Sequence, residues 1–347
     1  MSGNPEPDLL GAARAGDRRA FDALTAPHRR AILGHCYRML GAAHDAEDAT
    51  QETLLRAWRH VDGYEGRASL RGWLYAIATR VCFDALARRG ARRLPSLDDS
   101  APADPARPPG DAVLDPVWID ALPDAAWCDG EVDGFEAPDA TVNRRQSVAL
   151  AFLAAIQMLP PPQRAALLLH EVAGWRAADV GEALGLSTAA VNSALQRARS
   201  TLDARAPRWS QRPVAPAAPD ADTLSRYVRA WNTGDPALLA ATLREDVVLA
   251  MPPMSAWYAG REGVVAFFEG FVLRLGLRFS LVAAPRTNGC PAFASYRADP
   301  ADPTRLHADG LHVLTLDADG AIAAAMVFLG PQAVVGVGLP EVRVATA

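Results

Sequence analysis

The sequence contains no lysine: all 35 of its basic residues are arginine, set against 40 acidic ones for a net charge of -5. Together with the abundance of alanine, proline and glycine, that absence reads as codon bias in a high-GC genome rather than as chemistry. Cysteine is scarce. Cys36, Cys82, Cys128 and Cys290 are too far apart to give a metal-ligand spacing, which predicts reduced, buried thiols and neither a metal nor another cofactor. No apolar run approaches the ~18 residues of a membrane span; the longest, SVALAFLAAIQML at 147–159, contains Gln157. The N-terminus, MSGNPEPDLL, has no basic stretch followed by an apolar core, so no signal peptide is read. These absences predict a cytoplasmic chain with no membrane partner. What is present is length and apolar content: 347 residues, 50% hydrophobic, enough for two or three domains.

The small net charge hides a segmental pattern. Residues 1–94 carry 15 arginines against 11 acidic residues, and 141–212 carry 9 against 4. Between them, residues 95–140 hold 1 arginine against 12 acids, and residues 213–347 hold 10 against 13. Two basic units thus flank an acidic connector, and a mildly acidic unit follows.

Residues 8–94 repeat apolar side chains at helical spacing (Ile32, Leu33, Cys36, Leu40; Leu74, Ile77, Ala78, Val81), with Gly16, Gly41 and Gly63 as punctuation. The connector 95–140 is rich in Pro, Asp and Ala and cannot bury enough surface to fold alone. Its VWIDALPDAAW stretch at 117–127 nevertheless offers Trp118, Ile119, Leu122 and Trp127 for docking. Helices are expected at 141–159, 161–173, 176–184 and 188–204 within a unit spanning 141–206, then a linker at 207–221. From 222 to 335, helices are expected at 222–232, 236–243 and 261–274 and strands at 247–251, 278–284, 292–298, 311–317 and 321–329, the last pair joined by the turn DADG. The fold class is therefore multidomain: two all-α helical domains and a C-terminal α+β domain with an antiparallel meander.

GWRAADVGEALGLSTAAVNSALQRARSTL (174–202) has two helix-like stretches about a Gly185-Leu186-Ser187 hinge. In a helix-turn-helix the second helix enters the major groove. Here it presents Thr188, Asn192 and Ser193, small or hydrogen-bonding, and Gln196, Arg197 and Arg199, able to reach bases or phosphates. The alternative is a helical hairpin with a solvated polar face. With its flanks, MLPPPQRAALLLHEV, the stretch resembles region 4 of the bacterial sigma-70 family, in its extracytoplasmic-function (ECF) group, over some 45 consecutive residues. The resemblance implies that this helix reads the −35 promoter element.

DAEDATQETLLRAWRHV (45–61) places Asp48, Glu52 and Leu55 on one helical face, an acidic stripe grading into an apolar one. That suits a protein partner; a solvated acidic face is the alternative. The stretch resembles family region 2.2, which implies that Asp45, Asp48, Gln51, Glu52, Leu55 and Trp58 grip core RNA polymerase. GYEGRASLRGWLYAIATRVCFDALARRGARR (63–93) resembles regions 2.3 and 2.4, which melt and bind the −10 element. Trapping unpaired bases needs a pocket and cations. The resemblance assigns Arg67, Ser69 and Arg71 to that task and Arg80, Arg88 and Arg89 to phosphates, with Gly90 ending or loosening the helix.

The connector's acidity makes it a nucleic-acid mimic by hypothesis or a solubilising spacer. Its Trp118…Pro123-Asp124 element is similar to a signature of sigma factors carrying an extra C-terminal domain. Residues 222–335 resemble a SnoaL-like domain, the cone-shaped α+β fold shared with ketosteroid isomerase, through Tyr227, Trp231, Asn232, Gly234, Asp235 and PPMSAWYAGREGVVAFF at 252–268. Trp231, Trp257, Tyr258, Tyr296 and His312 are the residues offered for a pocket, with an unidentified small ligand as partner. Asp246, His307 and Asp309 add titratable groups, but no spacing identifies an acid–base dyad, so no catalysis is expected. The reading is a sigma factor binding core polymerase and promoter DNA, with its C-terminal domain touching and modulating the sigma regions. The alternatives are a helix-turn-helix regulator with a ligand-binding domain, and an isomerase or hydrolase fused to a DNA-binding module.

Overall fold

The computed structural model describes residues 6–66, 69–89, 101–113, 118–127, 150–205 and 221–344. By internal packing these form two compact units. One holds 6–66, 69–89, 126–127 and 156–204; the other holds 101–113, 118–125, 150–155 and 221–344. This division differs from the expected boundaries: much of the connector, and the start of the stretch read as region 4, pack with the C-terminal sheet.

The first unit is helical. Five helices lead it: α1 (Glu6–Arg14), α2 (Arg18–Thr25), α3 (Arg29–Leu40), α4 (Ala43–Arg59) and α5 (Leu70–Arg89). The helix α5 runs to Arg89, and Gly90 lies outside the described residues. Asp17 caps α2 by accepting from the backbone N–H groups of Arg19 and Ala20. Ile32, Cys36, Tyr37, Met39, Leu74, Ala78 and Cys82 are buried where α3, α4 and α5 meet. A four-residue helix, α6 (Asp124–Trp127), ends in this unit. Trp127 seats edge-on against Tyr37 at 4.9 Å, with the Arg38 guanidinium 4.6 Å from its ring centre. Gly34 makes the seat possible: a Cβ there would meet the Trp127 carbonyl at 3.0 Å.

The helical unit continues through the end of α7 (Leu150–Gln157), then α8 (Pro161–Leu167), a π-turn over Leu168–Val172, α9 (Ala177–Leu184) and α10 (Thr188–Arg205). The expected helix at 161–173 is present, with a wider last turn. Helices α8 and α9 pack against α3 and α5, so the basic units at the two ends of the connector form one body.

In the second unit α11 (Ala221–Thr233) and α12 (Pro236–Ala240) precede β1 (Leu243–Ala250), β2 (Trp257–Ala259) and α13 (Arg261–Phe267), which continues as a π-turn over Phe268–Leu273. Then come β3 (Phe279–Thr287), β4 (Cys290–Ala298), β5 (Arg305–Leu316), β6 (Ile322–Leu329), α14 (Pro331–Val335) and β7 (Val342–Val344). The sheet order is β2-β1-β6-β5-β4-β3, with β7 beside the start of β5. The meander from β3 to β6 is antiparallel as expected, but β1 pairs β6 in parallel. The expected helix 236–243 is shorter because β1 begins at Leu243.

Strand alternation splits the buried residues between two faces. One face packs Leu249, Tyr258, Leu281, Leu314 and Val327 under Tyr227, Trp231, Val264, Phe267 and Phe268 of the helices. The opposite face packs Ala292, Ala294, Tyr296, Leu311, Met326 and Phe328 against Ile119 of the connector, Leu150 of α7 and Val334 of α14. This face is thus covered in part by chain segments from far upstream.

Candidate polymerase and DNA surfaces and the connector seat

The helix α4 buries Ala46, Ala49, Thr50, Thr53 and Ala57, which turns Asp48, Gln51 and Leu55 outward. Leu55 is among the few large apolar side chains left exposed. His44 lies 3.7 Å from Asp48, and Glu52 accepts from Arg56 at 2.7 Å, which also reaches Asp84 at 2.9 Å. Two expected contact residues are not on this surface. Asp45 is buried in the first turn, where a carboxylate favours the positive end of the helix. Trp58 packs edge-on against Phe21 at 5.2 Å, under Arg18.

Of the residues assigned to the −10 element, Arg67 lies outside the described residues, as does the side chain of Arg89. Ser69 is committed locally: its hydroxyl accepts from the Gly72 N–H at 3.1 Å and caps α5. Arg80 and Arg88 are exposed on α5. The Arg71 guanidinium lies over the Tyr75 ring at 5.4 Å, and its Nε is buried without a hydrogen-bond partner. Arg71 is thus half-buried against Tyr75, which supplies a ring face one turn along.

The hinge between α9 and α10 has the close backbone approach of a helix-turn-helix. A Cβ on Gly181 would meet the Leu186 carbonyl oxygen at 2.6 Å, and Gly185 ends α9 with φ +69°. Ser187 caps α10 by accepting from the Ala190 N–H at 3.2 Å. Val191, Ala194, Leu195 and Ala198 face inward, leaving Thr188, Asn192, Ser193, Gln196 and Arg197 exposed along one side. Arg197 donates to the Ser193 hydroxyl at 2.6 Å. Arg199, also exposed, is paired with Glu171 at 2.7 Å.

Sequence reading missed the roles of Gln157 and Arg164. The helix α3 ends at Gly41 in the left-handed region, which leaves C-terminal carbonyls without intrahelical donors. Gln157 donates to the Arg38 carbonyl at 2.8 Å, and Arg164 donates to the Met39 carbonyl. The fully buried Arg164 also binds the Gln157 side-chain oxygen and the carbonyls of Gln157 at 2.8 Å and Leu159 at 3.1 Å. Burial lowers its pKa to about 10, so it keeps its charge at neutral pH. The signal available in sequence was its place directly after the Leu-Pro-Pro turn. Cys36 and Cys82, distant in sequence, are both fully buried in the same unit, and burial raises the Cys82 pKa.

In the second unit the turn between β3 and β4 forms a seat for the connector. Asn288, at φ +52° and fully buried, donates through its N–H to the Leu122 carbonyl and accepts from the Leu122 N–H, both at 3.2 Å. Asp124 accepts from the Gly289 N–H at 2.8 Å with Arg286 nearby, while its burial raises its pKa. Upstream, the Ala103 N–H donates to the Trp257 carbonyl at 2.8 Å and the Val113 N–H to the Pro253 carbonyl at 2.9 Å. Up to Asp124, the described part of the connector is therefore held to the sheet rather than free.

The residues offered as a pocket do not converge. Trp231, Tyr258 and His312 share the helix-covered side, where His312 lies 4.8 Å from the Trp231 ring and takes the Tyr227 hydroxyl at 2.9 Å. Burial holds the His312 pKa at about 3. Trp257 and Tyr296 lie on the opposite face, because adjacent strand residues such as 257 and 258 point to opposite sides. The Tyr296 hydroxyl is engaged by the Pro340 carbonyl at 2.8 Å. Among the described residues no group of His, Cys, Asp and Glu side chains could hold a metal ion, and no helix is long and apolar enough to cross a membrane.

Comparison with known proteins follows the same division. Residues 24–92 match Sigma-70 region 2, residues 149–202 match Sigma-70, region 4, and residues 224–325 match the SnoaL-like domain. The chain is 41% identical over 342 residues to the ECF RNA polymerase sigma factor SigG of Mycobacterium tuberculosis, covering 95% of this chain and 87% of that protein. It is 28% identical over 264 residues to SigJ of the same organism, covering 74% and 73% of the two chains. The crystal structure of Mycobacterium tuberculosis SigJ shares the fold at a TM-score of 0.54 and 21% identity, over 90% of this chain and 97% of that one. With both sigma regions in order and a relative of this similarity along nearly its whole length, the chain belongs to the ECF RNA polymerase sigma factors, which bind core polymerase and promoter DNA, and carries a SnoaL-like domain after region 4.

Proposed function

We propose that the chain recruits core polymerase through the outward face of α4 and reads promoters through α5 and α10. The observation that carries this reading is the pairing, in one helical body, of an exposed acidic–apolar face with an exposed polar recognition helix. Asp48, Gln51, Glu52 and Leu55 meet the polymerase. Arg80, Arg88, Arg89, Arg67 and Arg71 serve the −10 element. Thr188, Asn192, Ser193, Gln196 and Arg197 read base edges at −35, while Arg199 reaches a phosphate once Glu171 releases it. The protein works in the cytoplasm, without a catalytic step and without a cofactor.

The SnoaL-like domain modulates initiation by holding the connector at the Leu122–Asn288 seat. An operator-binding regulator with a similar hinge would have no use for the α4 face. A small ligand is the second reading for the cone, favoured by one observation: the Tyr258 hydroxyl is buried without a hydrogen-bond partner beside the Phe267 ring.

Run-off transcription with core polymerase on genomic fragments tests the proposal. Discrete transcripts dependent on the chain are expected, and Asn288→Ala should change their yield while core binding stays intact. Operator footprints without any polymerase-dependent transcript would overturn the sigma assignment, and an unchanged yield would remove the connector seat from regulation.

A further inference from the structure

The connector residues 103–113 lie along one edge of the cone, beside the buried hydroxyl of Tyr258. That edge is β2, the outermost strand on its side of the sheet. The Ala103 N–H donates to the Trp257 carbonyl at 2.8 Å, and Ala103 packs against the helix-covered core. Two residues on, a Cβ at Gly270 of the π-turn would come within 3.4 Å of the Pro105 carbonyl oxygen. Residues 103–105 thus pass between β2 and the π-turn. At the far end the Val113 N–H donates to the Pro253 carbonyl at 2.9 Å, and Ala112 bridges to Met254. Between these anchors runs DPARPPGDA, in which Pro105, Pro108 and Pro109 have no N–H to offer the strand. This strap is therefore fastened to the cone chiefly at its two ends.

The chemistry beside the strap is uneven. Tyr258 is 1% exposed, its ring is stacked on Phe267 at 4.4 Å, and Phe267 is stacked on Phe271 at 5.5 Å. Amid these rings its hydroxyl has no hydrogen-bond partner. A buried donor without an acceptor costs free energy that a phenylalanine at the same place would not. Burial, with the charge of Asp104 adding to it, pushes the Tyr258 pKa up to about 12, so the hydroxyl stays protonated and able to donate. Asp104 does not take that bond. Its carboxylate accepts from the Ala106 N–H at 2.9 Å and faces Arg107 at 3.4 Å. Its charge still acts on Tyr258 and disfavours a second anion there. The acceptor that suits this hydroxyl is an uncharged oxygen carried on an apolar or aromatic body.

We infer that Tyr258 is the hydrogen-bond donor of a site for a small neutral carbonyl compound, and that connector residues 103–107 are its lid. Entry of the ligand displaces the Ala103–Pro105 backbone from beside the π-turn, while the Leu122–Asn288 bonds hold the connector downstream. This inference rests on the reading of the cone as a ligand-binding domain.

The test uses the full chain and three probes, each a phenyl ring with a different group: acetophenone, benzoate and ethylbenzene. In equilibrium dialysis acetophenone should bind about tenfold more tightly than either of the others, and Tyr258→Phe should remove its advantage over ethylbenzene. Asp104→Asn should strengthen benzoate several-fold, and an unmoved benzoate affinity would overturn the exclusion of anions. Ala103→Pro deletes the N–H held by Trp257 and should tighten acetophenone about fivefold. Acetophenone should also speed hydrogen exchange at the Ala103 amide of the native chain but not at that of Asn288. Equal retention of acetophenone and ethylbenzene, or a Tyr258→Phe chain that keeps the preference, would overturn the carbonyl site and leave a cone that binds ligands. Should Tyr258→Phe fail to fold, the ranking of the three probes on the native chain decides. Unchanged exchange at Ala103, with unchanged affinity in Ala103→Pro, would overturn the lid. Binding of none of the three, to the native chain or to Ala103→Pro, would overturn this inference and the ligand reading together.

Discussion

The helical unit and the cone each bury one histidine in the same way, and then differ in what else they bury. His35 lies 2.9 Å from the Thr79 hydroxyl, and His312 lies 2.9 Å from that of Tyr227. Desolvation holds both pKa values at about 3, with Arg38 adding to the effect at His35. The helical unit also buries a full charge, Arg164, surrounded by carbonyl and amide oxygens. Donors with no acceptor occur in both units, on Arg71 Nε in the helical unit and on the Tyr258 hydroxyl in the cone, the latter amid aromatic rings. A contact made of a cation and helix-end carbonyls can part into water with both sides resolvated. A sheet face packed by Ile119, Leu150, Met326 and Phe328 cannot part without exposing apolar surface, at about 25 cal/mol per Å². The joint between regions 2 and 4 thus combines bonds to helix-end carbonyls with the Tyr75–Trp175 ring contact, and the joint between connector and sheet combines apolar packing with the Leu122–Asn288 bonds.

The comparison yields predictions of decreasing size. Asp48→Arg reverses a charge on the exposed α4 face and should abolish retention by core polymerase; an unaltered pull-down would remove that face from the interface. Arg164→Met strips donors from several buried oxygens and should cost about 3 kcal/mol. Denaturation followed by hydrogen exchange should place that loss in residues 31–40 and leave the cone untouched, and an equal loss in both units would undo the contrast. Arg197→Ala should weaken −35 binding by ~1–3 kcal/mol if it makes a bidentate base contact, read as a weaker footprint there with core retention unchanged. Acid should act on both units alike. Each histidine has a folded pKa near 3 and an unfolded one near 6.5, so the unfolded chain takes up the proton first. The stability each contributes is complete above pH 6.5 and is lost toward pH 3, at up to about 1.4 kcal/mol per pH unit. His312→Phe should flatten that slope in the cone alone, and a cone slope unchanged by the substitution would disprove the assignment.

The parts legible in sequence were those with a period or a turn chemistry. The exposed sides of α4 and α10 followed from 3.6-residue spacing, and the hairpin at DADG from its turn residues. The resemblance assigned Trp58 and Ser69 to binding, while the structure shows Trp58 on Phe21 of another helix and the Ser69 hydroxyl capping its own helix, contacts that carry no periodic signal. The pocket set spans two faces of the sheet, Trp257 and Tyr296 on one and Trp231, Tyr258 and His312 on the other, a division set by strand pairing. The long-range pairings left no local trace: Leu122 with Asn288 is separated by 166 residues and Arg164 with Met39 by 125.

The sequence by itself determined the family, the order of the regions and the outward faces of the reading helices, because helical periodicity and capping are local. Only the tertiary structure decided that the connector is held by a β-turn of the cone and that Trp175 meets Tyr75 of another region. Those outcomes turn on which buried donors find acceptors on segments far away in the chain, and no spacing along the sequence encodes that.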